Sequence, residues 1–156
     1  MKMMGKVSLS FFVRIFTDIM IAANLVMLII LPWALSHLLD GILQGTFKGT
    51  EDHTFLLWFF YVCGTLTCIL LLLGHCLMRT LEKGLPFDPE NARYLRSVGV
   101  VFLLLSAAFW VKVVVYITPL TLFCAGMFAI FALLALILSE VFRQASIIWE
   151  EHQLTI

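Results

Sequence analysis

The stretch "FLLWFFYVCGTLTCILLLL", residues 55–73, decides the fold class because its nineteen residues carry no charge. An apolar run of about 18–20 residues is long enough to cross the hydrocarbon core of a bilayer, which is roughly 30 Å thick. Backbone groups in lipid must find hydrogen-bond partners within their own segment, so such a run crosses as a helix. The stretch therefore predicts a transmembrane helix.

Three more apolar runs of sufficient length occur, at 15–39, 98–117 and 120–138. Hydrophobic residues make up 62% of the 156 residues and charged residues 13%, against about 45–50% and 25% in soluble domains. We therefore predict one all-α domain over 1–156, an integral membrane four-helix bundle. The expected helices lie at about 11–39, 55–80, 89–117 and 119–150.

The distribution of Lys and Arg predicts the orientation. With a cytoplasmic N-terminus, eight of the ten basic residues fall on the cytoplasmic side, and only Lys48 and Lys112 fall elsewhere. Such an excess marks the cytoplasmic face, so we expect both termini in the cytoplasm. The first run is too long for a cleavable signal, and we expect it to remain as a helix.

The second and third runs are joined by "RTLEKGLPFDPENARYLRSVG" (79–99), which holds seven of the twenty charged residues. We call 79–97 the polar cassette. Gly84 and Pro86 favour the end of one helix, and Asp88 followed by Pro89 favours the start of the next. The simplest interpretation is a turn that enforces topology. Phe87, an apolar ring in a polar turn, indicates docking against the tail, the lipid surface or a partner.

The last segment, "SEVFRQASIIWEEHQLTI" (139–156), has helical periodicity and is predicted to continue the fourth helix into the cytoplasm as an amphipathic tail. Its acidic end is a poor match to an anionic lipid surface. We therefore expect the tail to pack against the cassette or another protein. The apolar face of the tail is predicted at Val141, Phe142, Ala145, Ile148, Trp149 and His152.

Ionisable and amide side chains inside the apolar runs are candidates for function, because they are costly in lipid. Asp18, His75 and Glu140 lie near the predicted inner boundary, whereas Asn24 lies deep and is more typical of an interhelical hydrogen bond. Asp18 and His75 could meet and sense pH. The alternative for Asp18 is Arg14, four residues away on one helix.

The sequence offers no positive evidence for catalysis, metals or cofactors. Its four cysteines lack C-x-x-C spacing and lie in or beside apolar runs. A net charge of zero argues against direct nucleic-acid binding. Small side chains predict helix contacts instead, and whether these contacts also form a homo-oligomer stays open. They are Cys124, Ala125, Gly126, Ala129 and Ala132 on helix four, Gly64 and Cys68 on helix two, and Ser106, Ala107 and Ala108 on helix three.

Together, "GLPFDPENARYLRSVG" and "LILSEVFRQASIIWEEHQLTI" resemble the bacterial membrane-protein family called domain of unknown function (DUF) 2975. Family members often have a Gly after the Phe-Arg pair, where this chain has Gln144 or Ala145. The resemblance implies a bacterial cytoplasmic membrane protein without established activity, commonly encoded beside a small helix-turn-helix regulator of the Cro/C1 type. The residues that carry it are Gly84, Pro86, Phe87, Asn91, Leu95, Arg96, Glu140, Val141, Phe142, Arg143, Leu154, Thr155 and Ile156.

Two hypotheses follow. The first is a membrane interaction protein, not an enzyme, whose cassette and tail form a docking surface for a small helix-turn-helix regulator. The alternative is a lipid- or small-molecule-handling protein, such as a transporter subunit or peptide-resistance factor, with a cavity lined by Asn24, Thr65, Thr67 and Ser106. The predicted partner-binding residues of the first hypothesis are Phe87, Arg93, Arg96, Phe142, Arg143, Trp149, Glu150 and Glu151.

Overall fold

The computed structural model describes the backbone of residues 4–41, 50–82 and 89–154, and the side chains of 12–37, 54–80 and 89–148. The described backbone is helical apart from the short turn between the third and fourth helices, which confirms the all-α prediction. The helices are α1 (Met4–Gly41), α2 (Thr50–Glu82), α3 (Pro89–Val115) and α4 (Pro119–Leu154).

All four helices are long and apolar enough to cross a membrane. Large apolar side chains point outward, with Val114 and Ile117 each 81% exposed, and Leu35 is the one buried residue among the described side chains of α1. Such surfaces suit hydrocarbon rather than water. The predicted four transmembrane helices are confirmed, and the chain is a multi-pass membrane protein. The candidate spans are Phe12–His37, Thr54–Thr80, Pro89–Val115 and Pro119–Ile148.

Within the described residues each helix packs against its neighbours in sequence, and the pair α3–α4 has the most extensive interface. The helices alternate in direction. We call the end where residues 115–119 join α3 to α4 the turn end. There, Thr118 precedes Pro119, and the Leu122 N–H donates to the Thr118 carbonyl oxygen at 3.2 Å. The opposite end, where α3 begins at Pro89 and α4 runs on to Leu154, is the tail end.

Two buried hydrogen bonds join α3 to α4. The Ser106 hydroxyl donates to the Ala125 carbonyl oxygen at 2.9 Å, and the Ser139 hydroxyl donates to the Ala92 carbonyl oxygen at 2.8 Å. Ala92 and Ser106 are separated by two intervals of seven residues, and so are Ala125 and Ser139. A seven-residue repeat on both helices is the geometry of an antiparallel left-handed coiled coil.

Gly99 lies midway between Ala92 and Ser106 on α3, seven residues from each. A Cβ atom at this position would lie 2.8 Å from the Leu136 side chain and 3.3 Å from the Ala132 carbonyl oxygen. Ala132, one step of seven from Ala125, is itself fully buried. The close approach of the two helices therefore depends on small side chains at matched positions, as is usual in membranes.

The predicted contact face of α4 is partly wrong. Ala125 and Ala132 are fully buried, but Cys124, Gly126 and Ala129 are only half-buried. A Cβ atom at Gly126 would meet nothing within 4 Å. The seven-residue repeat selects one line of positions, so small neighbours on either side of it do not reach the centre of the interface.

The predictions for the other two helices are also mixed. Gly64 of α2 does form a contact point, because a Cβ atom there would lie 2.5 Å from the Leu28 side chain of α1. Ser106 of α3 is buried, whereas Ala107 is exposed and Ala108 half-buried. Cys68 of α2 is half-buried.

The tail continues α4 as predicted, without a break at Gln144 or Ala145. The helix has 36 residues, about 54 Å at 1.5 Å per residue, which exceeds the roughly 30 Å hydrocarbon core. The helix therefore has enough length to project beyond the membrane.

Over its described part, the predicted apolar face of the tail is not the face that the rest of the chain buries. Val141 is 54% exposed and Ile148 is 57% exposed, whereas Ser139 and Ser146 are buried. Ser146 follows Ser139 by seven residues. The buried positions of the tail therefore continue the seven-residue repeat by which Ala125, Ala132 and Ser139 are buried. Phe142 and Ala145 are half-buried. The side chains of Trp149 and His152 lie outside the described part.

Candidate docking surface at the tail end

A groove of about 550 Å³ lies between the start of α3 and the distal half of α4. We call it the basic groove, because three guanidinium groups and a single carboxylate line it. Its lining residues are Pro89, Ala92, Arg93, Arg96, Leu136, Ser139, Glu140 and Arg143.

The helix register explains why the arginines meet. Arg93 and Arg96 are three residues apart, so they share one face of α3, and both are exposed. The bond from Ser139 to Ala92 aligns the two helices at this point. Arg143 lies one turn beyond Ser139 on α4, so it lines the same groove.

Glu140 is already engaged by its own helix. Arg143 donates to it twice, from Nη2 to Oε1 at 2.6 Å and from Nε to Oε2 at 3.0 Å. The Gln144 amide adds a bond to Oε1 at 3.2 Å. The two-point contact with Arg143 is the strong form of an arginine–carboxylate pair, so Glu140 has little capacity left for another cation.

Arg93 and Arg96 form no ion pair at contact distance with a described carboxylate, although Arg96 lies near enough to Glu140 to attract it electrostatically. The guanidinium group is always charged and presents several N–H donors in a plane, which suits carboxylate and phosphate oxygens. With Glu140 paired to Arg143, the positive charge of the groove rests mainly on these two residues. The groove is therefore suited to binding an anionic group.

The structure brings together three of the eight predicted partner-binding residues, Arg93, Arg96 and Arg143, at one groove. Phe142 precedes Arg143 on α4 and is half-buried. Phe87 lies outside the described residues, as do the side chains of Trp149, Glu150 and Glu151, so those predictions stay predictions.

The anticipated contact between Asp18 and His75 is present. His75 Nδ1 lies 2.9 Å from Asp18 Oδ1, with the His75 side chain 27% and the Asp18 side chain 52% exposed. The approach is close, although Nδ1 lacks a partner with good hydrogen-bond geometry. The contact joins α1 to α2 near the tail end.

Asn24 differs from its prediction. Its Oδ1 atom is buried and makes no hydrogen bond to any described residue, so this oxygen does not form the expected interhelical bond. Asn24 and Thr67 line a second cleft, between α1 and α2. Thr65 and Ser106, which were expected to share a cavity with them, bond to the carbonyl oxygens of Tyr61 and Val62 and of Ala125 instead.

The sequence interpretation missed Ser139 and Leu136 as parts of the groove. The signal was present, because Ala125, Ala132 and Ser139 repeat every seven residues opposite a matching series on α3. That pairing becomes visible only when the two runs are written antiparallel and searched for small residues at equal steps.

A family model described as "Protein of unknown function (DUF2975)" matches residues 32–156. The chain belongs to this family. The matched range covers α2, α3 and α4 in full, so the basic groove lies within the part shared with other DUF2975 proteins. Neither the comparison with curated proteins nor the comparison with solved structures gives a match.

Proposed function

We propose that this DUF2975 protein is a membrane-anchored interaction protein whose basic groove docks a small cytoplasmic helix-turn-helix regulator. The observation that carries the proposal is the meeting of Arg93, Arg96 and Arg143 in one groove whose single carboxylate, Glu140, is paired to Arg143. The expected contact on the partner is a cluster of carboxylates, because guanidinium groups bind carboxylates through paired hydrogen bonds.

The proposal includes an orientation. Eight of the ten Lys and Arg residues fall on the tail-end side of the predicted topology, which favours a cytoplasmic tail end in a bacterial cytoplasmic membrane. Docking at the groove would hold a regulator at the membrane and away from DNA. Under the proposal the chain does not touch nucleic acid itself and performs no catalysis.

The identity of the partner is supported by the resemblance to DUF2975 proteins, which are commonly encoded beside small Cro/C1-type regulators. The tail adds a second feature. Glu150 and Glu151 make its end acidic, so a bound regulator would meet a basic groove and an acidic helix end together. A partner of mixed charge would satisfy both, and its orientation would be fixed by complementarity.

The test is photo-crosslinking in native membranes with a photoreactive residue at Phe87 or at Gln144, which lies beside Arg143 on α4. A probe at Leu120, exposed at the turn end, is the positional control. We expect both tail-end probes to capture a small helix-turn-helix protein and the Leu120 probe to capture none.

The capture must depend on the groove. Arg93→Gln with Arg96→Gln is expected to lower recovery at least tenfold, since a hydrogen bond to a charged group contributes roughly 1.5–3 kcal/mol. Arg143→Gln should have a smaller effect, because it removes one guanidinium group instead of two and that group already binds Glu140. Phe87→Ala and Trp149→Ala are also expected to reduce recovery. Full recovery in the Arg93/Arg96 double variant would overturn the proposal.

A further inference from the structure

A second cleft, separate from the basic groove, opens between α1 and α2 towards the turn end. We call it the lateral cleft. Its volume is about 510 Å³. Leu28, Leu31 and Leu35 of α1 form one wall, and Leu56 and Phe60 of α2 lie opposite, so its lining is mainly apolar.

The packing of the helices explains the cleft. α1 and α3 flank α2 without contacting each other in the described residues, so a strip of α2 stays uncovered between them. Gly64 lets α1 approach α2 through Leu28, and the cleft runs along this junction. From Asn24 to Leu35 it follows α1 for roughly 16 Å, at 1.5 Å per residue.

A cation of α3 belongs to the lining of the cleft. This cation is Lys112, and Lys112 Nζ lies 4.7 Å from the ring centroid of Phe59 and 5.6 Å from that of Phe60. Lys112 has no carboxylate partner among the described residues. Its ammonium group is therefore held over aromatic rings but is not neutralised by an anion of the described chain.

The apolar lining and the single cation together indicate which kind of molecule would fill the cleft. The cleft offers a long apolar wall and one cation, Lys112. Lys112 lies three residues before α3 ends at Val115, and lysines near the ends of membrane helices extend towards the headgroups. A second transmembrane helix would fill the apolar part but would supply no anion for Lys112 unless it carried an acidic residue. A lipid with a negatively charged headgroup fits both parts.

We propose that the lateral cleft binds an anionic phospholipid, with one acyl chain along α1 and α2 and the headgroup phosphate on the Lys112 ammonium group. The site is independent of the basic groove, which lies at the tail end. The leaflet concerned is the one at the turn end. At the cleft the protein thus binds one specific lipid molecule, in addition to the bulk lipid that surrounds its helices.

The test is native mass spectrometry of the full chain, purified in detergent and supplied with phosphatidylglycerol or phosphatidylcholine. We expect one phosphatidylglycerol to remain bound at activation energies that remove phosphatidylcholine. Lys112→Gln should weaken phosphatidylglycerol retention about tenfold, and Lys112→Arg should preserve it, because the arginine keeps the positive charge.

A steric pair tests the location. Ala34→Trp places bulk inside the cleft and should abolish retention with Lys112 intact. Ala107→Trp, at an exposed position on α3, should leave retention unchanged. If circular dichroism shows that the Ala34→Trp variant is not folded, the Lys112 variants alone decide whether the cleft binds the lipid.

Two results would overturn the proposal. One is equal retention of both lipids with no effect of Lys112→Gln, which would indicate only the surrounding lipid. The other is a dimer in the same spectra that disappears with Ala34→Trp, which would assign the cleft to a second copy of the chain.

Discussion

The Ser139 hydroxyl donates a buried hydrogen bond to the Ala92 carbonyl oxygen at 2.8 Å, and this bond aligns the two helices that form the basic groove. Arg93 follows Ala92 on α3, and Glu140 follows Ser139 on α4. The helix register of which this contact is a part therefore determines which charges meet at the tail end. A shift of either helix would separate Arg93 and Arg96 from Arg143.

Replacing Ser139 should weaken the helix pair. Ser139→Ala is expected to lower the free energy of unfolding by about 0.6 kcal/mol and by no more than about 1.7 kcal/mol, the average and the maximum measured for interhelical hydrogen bonds in a membrane protein. Ser146→Ala is the matched control, because the Ser146 hydroxyl donates within its own helix to the Arg143 carbonyl oxygen. Unfolding in mixed micelles, followed by tryptophan fluorescence, gives both values. Equal losses in the two variants would argue against a special role for Ser139.

Two glycines provide a sharper comparison. Gly99→Ala should destabilise the protein by about 1–3 kcal/mol, the usual range for overpacking, since its Cβ atom would lie 2.8 Å from Leu136. Gly126→Ala has open space and should be neutral or stabilising, because Ala favours helix by about 0.8–1.0 kcal/mol. The same unfolding assay ranks the two variants. A Gly99→Ala variant as stable as Gly126→Ala would contradict the register.

The contact between Asp18 and His75 should appear as a coupling energy. A double-mutant cycle with Asp18→Asn and His75→Gln is expected to give about 0.2–1 kcal/mol, because both side chains are partly exposed near the tail end, where water weakens such pairs. Asp18→Asn combined with His37→Gln is the control, since His37 lies towards the turn end. That second cycle should be additive. Additivity in both cycles would mean that the 2.9 Å approach does not contribute to stability.

Glu140 should limit the strength of docking. Glu140→Gln removes the carboxylate that engages Arg143, so a third guanidinium group becomes available to an anionic partner. We expect this variant to increase recovery of the proposed regulator in the photo-crosslinking assay, opposite in sign to the Arg93/Arg96 double variant. A decrease would mean that the partner contacts Glu140 itself.

Sequence patterns predicted the number and type of helices because length and composition decide whether a segment crosses a membrane. The rotation of each helix was harder to predict. In a soluble helix the apolar stripe marks the buried face, but here the lipid-facing and protein-facing sides of α4 are both apolar. Ala125 was placed correctly, whereas Gly126 and Ala129 were not, because only the partner helix distinguishes these faces.

The candidate site was predictable in part for a related reason. Arg93, Arg96 and Arg143 stand out as charges beside apolar runs, so their residue type indicated a surface. Their convergence depends on the α3–α4 register, which small residues spaced by seven determine. Lys112 was noted only as one of the two basic residues that fall outside the predicted cytoplasmic side, because its position over Phe59 arises from the packing of α2 against α3.

The most direct test of the docking account is the side of the membrane on which the basic groove lies. In a background without the four native cysteines, Arg96→Cys and Thr118→Cys place single thiols at exposed positions near the tail end and at the turn end. A membrane-impermeant maleimide is then applied to intact spheroplasts and to opened membranes. We predict labelling of Thr118→Cys in both preparations and of Arg96→Cys only after the membranes are opened. Labelling of Arg96→Cys in intact spheroplasts, with protection of Thr118→Cys, would put the groove outside the cell and contradict a cytoplasmic docking function.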